Sequence, residues 1–189
     1  MAAPFPSPTA TWHTTGQPSG SPSRPELSAK GKNVLVTGGG TGIGAETARY
    51  FAAAGASRIA LLGRRLQPLL DTKASLEANF AGIDIFVAST DVTNKSEVDA
   101  AFDDFLGQTK LHVLVSNAAT IGAQDPVATV DGSKFVDAVL QNLRGSLNVA
   151  QAFARHATMD AVAIDVNSSA AHLNFAAVCT PDLHISSQS

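Results

Sequence analysis

The chain has 189 residues, 44% hydrophobic and 15% charged, with a formal net charge of −3. That length and apolar content support one packed domain and exclude a chain disordered throughout. The small negative charge gives no electrostatic reason to bind nucleic acid or an anionic membrane, and no apolar run is long enough to span a bilayer.

Residues 1–30 hold six of the nine prolines and almost no branched aliphatics. Such a stretch buries too little apolar area to offset the entropy of ordering it, so a flexible Pro/Ser/Thr-rich arm is expected there. Phe5 and Trp12 are its aromatic exceptions, and the composition favours a free arm over one docked through them. The start lacks the basic segment and apolar run of a secretory leader, so a cytoplasmic protein is expected.

From Lys32 onward, short apolar runs at 34–36, 59–62, 83–88, 113–115 and 161–166 fit strands buried on both faces of a parallel sheet. Between them lie stripes at helical spacing. Ala48, Phe51, Ala52 and Gly55 form the first; Leu66, Leu69, Leu70, Leu76 and Phe80 the second. Val98, Ala101, Phe102 and Phe105 make the third. The longest is Val136, Val139, Leu140, Leu143, Leu147, Ala150 and Phe153. Four strand–helix alternations and a fifth strand predict an α/β fold, an open doubly wound parallel sheet over 31–176 that stops after its fifth strand. Residues 177–189, with Pro181 inside, are expected to form an irregular tail. Cys179 is the only cysteine, which excludes an internal disulfide framework, and the scattered histidines show no metal-ligand spacing.

The first strand runs into Thr37-Gly38-Gly39-Gly40-Thr41-Gly42-Ile43-Gly44, with a helix expected to begin near Ile43. Glycines there let the chain turn tightly and bring backbone N–H groups and a helix N-terminus close to a pyrophosphate. No Gly-Lys-Ser/Thr follows, so this is not a nucleotide-triphosphate loop. At the end of the second strand Leu62 is followed by Gly63-Arg64-Arg65, and the next carboxylate is Asp71. In a dinucleotide fold this position reads the ribose 2′ group; arginine suits a 2′-phosphate, which favours NADP(H) over NAD(H).

Taken together, Thr37-Gly38-x-x-x-Gly42-Ile43-Gly44 resembles the cofactor loop of the short-chain dehydrogenase/reductase family, and further segments match in order. Asp91-Val92 resembles the segment that hydrogen-bonds adenine. Ser116-Asn117-Ala118-Ala119 is similar to the family's Asn-Asn-Ala-Gly, with Ala119 in place of glycine. Asn142, with Gly145 three residues on, resembles the asparagine of the catalytic tetrad, and Ser168 the serine, with Ser169 as the alternative. Residues 25–30 resemble fungal members. The resemblance implies a Rossmann-like fold, NAD(P) binding, hydride transfer between nicotinamide and a small carbonyl or alcohol substrate, and a homo-oligomer. Its tyrosine and lysine have no counterpart: no Tyr-x-x-x-Lys occurs, and the only tyrosine, Tyr50, lies on the first helix.

The expectation is therefore a family member cut short before that motif, with 177–189 arising from a frame change or altered splicing. Losing the following helix would remove a neighbour of the Asn142 helix from the oligomer. The alternative is a catalytically inactive fragment or pseudoenzyme that keeps only dinucleotide binding. A methyltransferase on a similar sheet is disfavoured, because it leaves the glycine loop, Asp91-Val92 and Asn117 unexplained.

Overall fold

A strand whose consecutive residues are all apolar needs cover on both faces, and the chain supplies it with alternating helices. In the computed structural model, which describes residues 18–123, 125–126 and 128–168, the elements run β1 (Asn33–Thr37), α1 (Gly42–Ala53), β2 (Arg58–Gly63), α2 (Leu66–Asn79), β3 (Asp84–Ser89), α3 (Lys95–Leu106), β4 (Leu111–Ser116), α4 (Gly132–His156) and β5 (Ala157–Asp165). The sheet order is β3-β2-β1-β4-β5, with every pair parallel. This is the expected doubly wound α/β sheet. The order reverses between β1 and β4, which places a crevice at the C-terminal ends of those strands.

Side chains along each strand alternate between two cores. Val34 and Val36 of β1 face Ala48, Ala52, Leu69 and Leu76 of α1 and α2. Leu35 faces the opposite way, into a cluster with Val98, Phe102 and Phe105 of α3 and Val149 and Ala152 of α4.

Two expectations change. Most of the longest apolar stripe read from the sequence does not meet the sheet: Val136, Val139, Leu140, Leu143 and Leu147 are exposed, Leu143 by 64%, while Phe153 at its end packs against the second core. The buried face of α4 is Gly145, Asn148, Val149 and Ala152, and Asn148 Nδ2 donates to the Val92 carbonyl at 3.0 Å. Small residues let α4 approach closely, so the sheet-facing side carries less hydrophobicity than the outer side, and periodicity alone picks the wrong one. Likewise Leu66 and Leu70 are exposed on α2, whose buried contacts are Leu69 and Leu76.

The second change lies upstream. Ala29 is buried in the first core, its N–H donates to the Ala54 carbonyl at 2.8 Å, and Lys30 bridges Ala56. The packed unit thus takes in Ala29, ahead of the residue-31 start that composition suggests. Two short 3-10 turns, Pro18–Gly20 and Pro25–Leu27, lead into it.

Candidate functional site

Loops leaving β1, β2, β3 and β4 meet at the crevice and enclose a cavity of about 740 Å³. Of the residues singled out in the sequence, Gly38, Thr41, Gly42, Ile43, Arg64, Arg65, Asp91, Val92, Asn117, Ala118, Ala119 and Asn142 line it. Thr37 and Gly44 lie behind its wall, and Ser168 is not on it.

Thr37 ends β1 fully buried, and its hydroxyl accepts the backbone N–H groups of Asn117 and Ala118, both at 2.9 Å. Asn117 Nδ2 in turn donates to the Thr37 carbonyl at 2.9 Å. One strand end is thereby stitched to the other across the switch point. Gly44 sits where α1 crosses this stitch. A Cβ there would overlap the Gly38 carbonyl oxygen and stand 2.7 Å from Asn117 Nδ2, so only glycine permits the approach.

Helix capping differs between the two sides of the sheet. Asn94 caps α3 and Asp131 caps α4 with side-chain oxygens that accept first-turn N–H groups. At α1 and α2 the capping positions are Thr41 and Arg65, and neither side chain bonds the helix. Both helices start at the cavity, with no acidic residue in either first turn. Their unmatched N–H groups and positive dipole ends suit an anion.

The charged side chains complete this field. Among the described lining residues Arg64 and Arg65 are the cations and Asp91 the one carboxylate. Both arginines are exposed. The Thr93 backbone N–H and hydroxyl bond Asp91 Oδ1 at 2.9 and 2.8 Å and hold its carboxyl below the usual range, with a smaller contribution from the Arg64 guanidinium. Asp91 is therefore an anion at neutral pH, oriented as an acceptor.

Asn142 uses both ends of its amide on one residue: Oδ1 accepts the Thr120 N–H and Nδ2 donates to the Thr120 carbonyl, each at 2.9 Å. It pins the loop after β4 from the side of α4. Ser168 follows β5 on the same end of the sheet; the Val166 N–H donates to the Ser116 carbonyl at 2.9 Å, and the Ser168 N–H to Asn167 Oδ1 at 2.7 Å. Ser169 lies outside the described residues.

The cavity also takes in Thr90, Thr93, Thr120 and Gln141, which the motif reading passed over. Thr93 carried a usable signal, since an aspartate two residues before a threonine commonly forms an Asx turn. Thr120 and Gln141 carried none, because they reach the wall only through the packing of α4.

The sequence profile of the short chain dehydrogenase family matches residues 32–180. This chain belongs to the short-chain dehydrogenase/reductase family. It is 31% identical over 169 residues to a short chain dehydrogenase/reductase of Claviceps purpurea, covering 89% of this chain and 56% of that relative. A short-chain type dehydrogenase/reductase from Mycobacterium ulcerans superposes with a TM-score of 0.69 at 31% identity, over 77% of this chain and 54% of that one. An NAD+-bound xylitol dehydrogenase superposes with a TM-score of 0.69 at 28% identity, over 79% and 58%. The chain thus spans little more than half the length of these family members. Among its described residues no helix is long and apolar enough to cross a membrane.

Proposed function

We propose that this chain forms the cofactor-holding part of a cytoplasmic NADP(H)-dependent oxidoreductase acting on a carbonyl or alcohol carbon of a small molecule. One observation carries the reading: Arg64 and Arg65 line the cavity at the end of β2, with no carboxylate beside them in sequence before Asp71. The residues present fit such a cofactor. Gly42, at φ 54°, has no heavy atom within 4 Å of where a Cβ would stand, so backbone lies open to the cavity beside the uncapped start of α1.

In this reading Arg64 and Arg65 hold the 2′-phosphate, the first turn of α1 receives the pyrophosphate, and Asp91 accepts from the adenine amine. Thr37 and Gly44 act behind the wall, by keeping α1 and the β4 loop at contact distance. Asn142 positions the loop that Ala118, Ala119 and Thr120 present to the cavity, and Ser168 would orient the substrate oxygen. When bound, the nicotinamide supplies or accepts the hydride.

Equilibrium titration of the chain with NADPH and NADH tests the reading. A charge-assisted hydrogen bond is worth about 1.5–3 kcal/mol, so NADPH should bind roughly tenfold to a hundredfold more tightly. Arg64→Asp should close most of that gap. Equal affinity in the native chain would overturn the cofactor assignment.

A second reading, dinucleotide binding without turnover, is favoured by the position of Tyr50. The sole tyrosine is exposed on α1 and lies off the cavity wall. Turnover of a carbonyl panel above background, lost in Ser168→Ala, would remove this second reading.

A further inference from the structure

A second concavity, of about 760 Å³, lies on the outer side of α1, between that helix and the segment entering β1. Its walls are Pro22 and Leu27 from the entering segment and Ile43, Thr47, Tyr50 and Phe51 from the helix. Leu27, Ile43 and Tyr50 are exposed by 47%, 65% and 46%. Large apolar side chains grouped in one concavity mark a surface that gains from being covered. The wall is also held in shape: the Arg49 guanidinium lies 4.5 Å from the Tyr50 ring centroid and bonds Glu46. Glu46, the one charged side chain among the described residues lining the groove, is thereby paired.

We propose that residues 1–17 of this chain dock into this groove through Trp12. The described chain begins at Pro18, and Gly20 and Pro22 already form part of the groove, so the preceding residues emerge at its edge. Five residues separate Trp12 from Pro18, so the two lie up to roughly 20 Å apart when extended, which is ample to reach α1. Residues 1–17 carry no Asp, Glu, Lys or Arg, so no such charged side chain has to be desolvated against the apolar wall. The tether sets an effective concentration in the millimolar range, which favours this occupant over a second copy at ordinary protein concentrations. Composition favours a free arm over one docked through Phe5 and Trp12; the groove supplies the apolar partner that composition does not show.

Trp12 is the only tryptophan, so its emission reports the docking directly in the intact chain. The expected result is blue-shifted emission and acrylamide quenching several-fold weaker than in the denatured chain. Leu27→Asp and Thr47→Arg, at two separate points of the groove, should each shift the emission to that of exposed tryptophan while the far-ultraviolet circular dichroism stays native. Trp12 emission and quenching in the native chain equal to those in denaturant would overturn the proposal, as would protection that survives in both folded variants. Protection lost on dilution would assign the groove to a second copy and overturn the intrachain docking.

Discussion

Gly44→Ala is expected to destabilise the chain, although alanine is the better helix former. Replacing a helical glycine by alanine normally gains about 0.5–1 kcal/mol. Here the new methyl group collides with the Gly38 carbonyl and Asn117 Nδ2, neither of which is the free end of a flexible side chain, because Asn117 is already bonded to Thr37. Overpacking of this kind costs about 1–3 kcal/mol and occasionally more, so it outweighs the propensity gain. For a chain of this size a net loss near 2 kcal/mol lowers the thermal midpoint by roughly 4–8 °C. Moving α1 also moves the backbone that faces the cavity, so NADPH affinity should fall at least about tenfold. Gly132→Ala in the first turn of α4 is the control: its Cβ meets nothing within 4 Å, so stability should hold or rise by up to about 1 kcal/mol. An unchanged midpoint in Gly44→Ala would show that α1 does not rest against β1 as described.

Thr37→Val tests the stitch between β1 and β4. Valine keeps the shape of threonine and its fit to a strand, so the change removes little besides the hydroxyl. Two backbone N–H groups, those of Asn117 and Ala118, then lose their acceptor at a residue that is 1% exposed. Each such loss costs about 1–3 kcal/mol, giving a total of about 2–4 kcal/mol where water partly relieves one of them. Thr37→Ser retains the oxygen and should recover most of the loss in a denaturant melt. If Thr37 contacted the cofactor alone, Thr37→Val would leave the stability of the unliganded chain untouched; that outcome would defeat the stitch.

Both residues were legible in the sequence as members of a glycine loop, but their work was not. The glycine loop reads as a dinucleotide site because its residue types sit between a buried strand and an amphipathic helix, a local arrangement that spacing reveals. What Thr37 bonds depends on the β4 loop, 80 residues away in sequence, and no local pattern carries that pairing. The same limit explains α4. Its most apolar face, through Leu143 and Leu147, points outward, while Gly145, Asn148 and Val149 take the sheet side. Close approach rewards small residues over large ones, and periodicity ranks faces by hydrophobicity alone.

By itself the sequence determined the alternation of strands and helices, the family, and the chemical character of the glycine loop, since these follow from short-range periods and fixed spacings. Only the tertiary structure decided that the strand order reverses at β1 and β4, that Arg64, Asp91 and Asn142 share one cavity, and that Thr37 and Gly44 act behind its wall. The same holds for the groove beside Tyr50, a residue whose isolation in the sequence said nothing of its surroundings. The reason is common to all of them. Each depends on which distant backbone segments come within a few ångströms of one another, and that is set by the packing of whole elements.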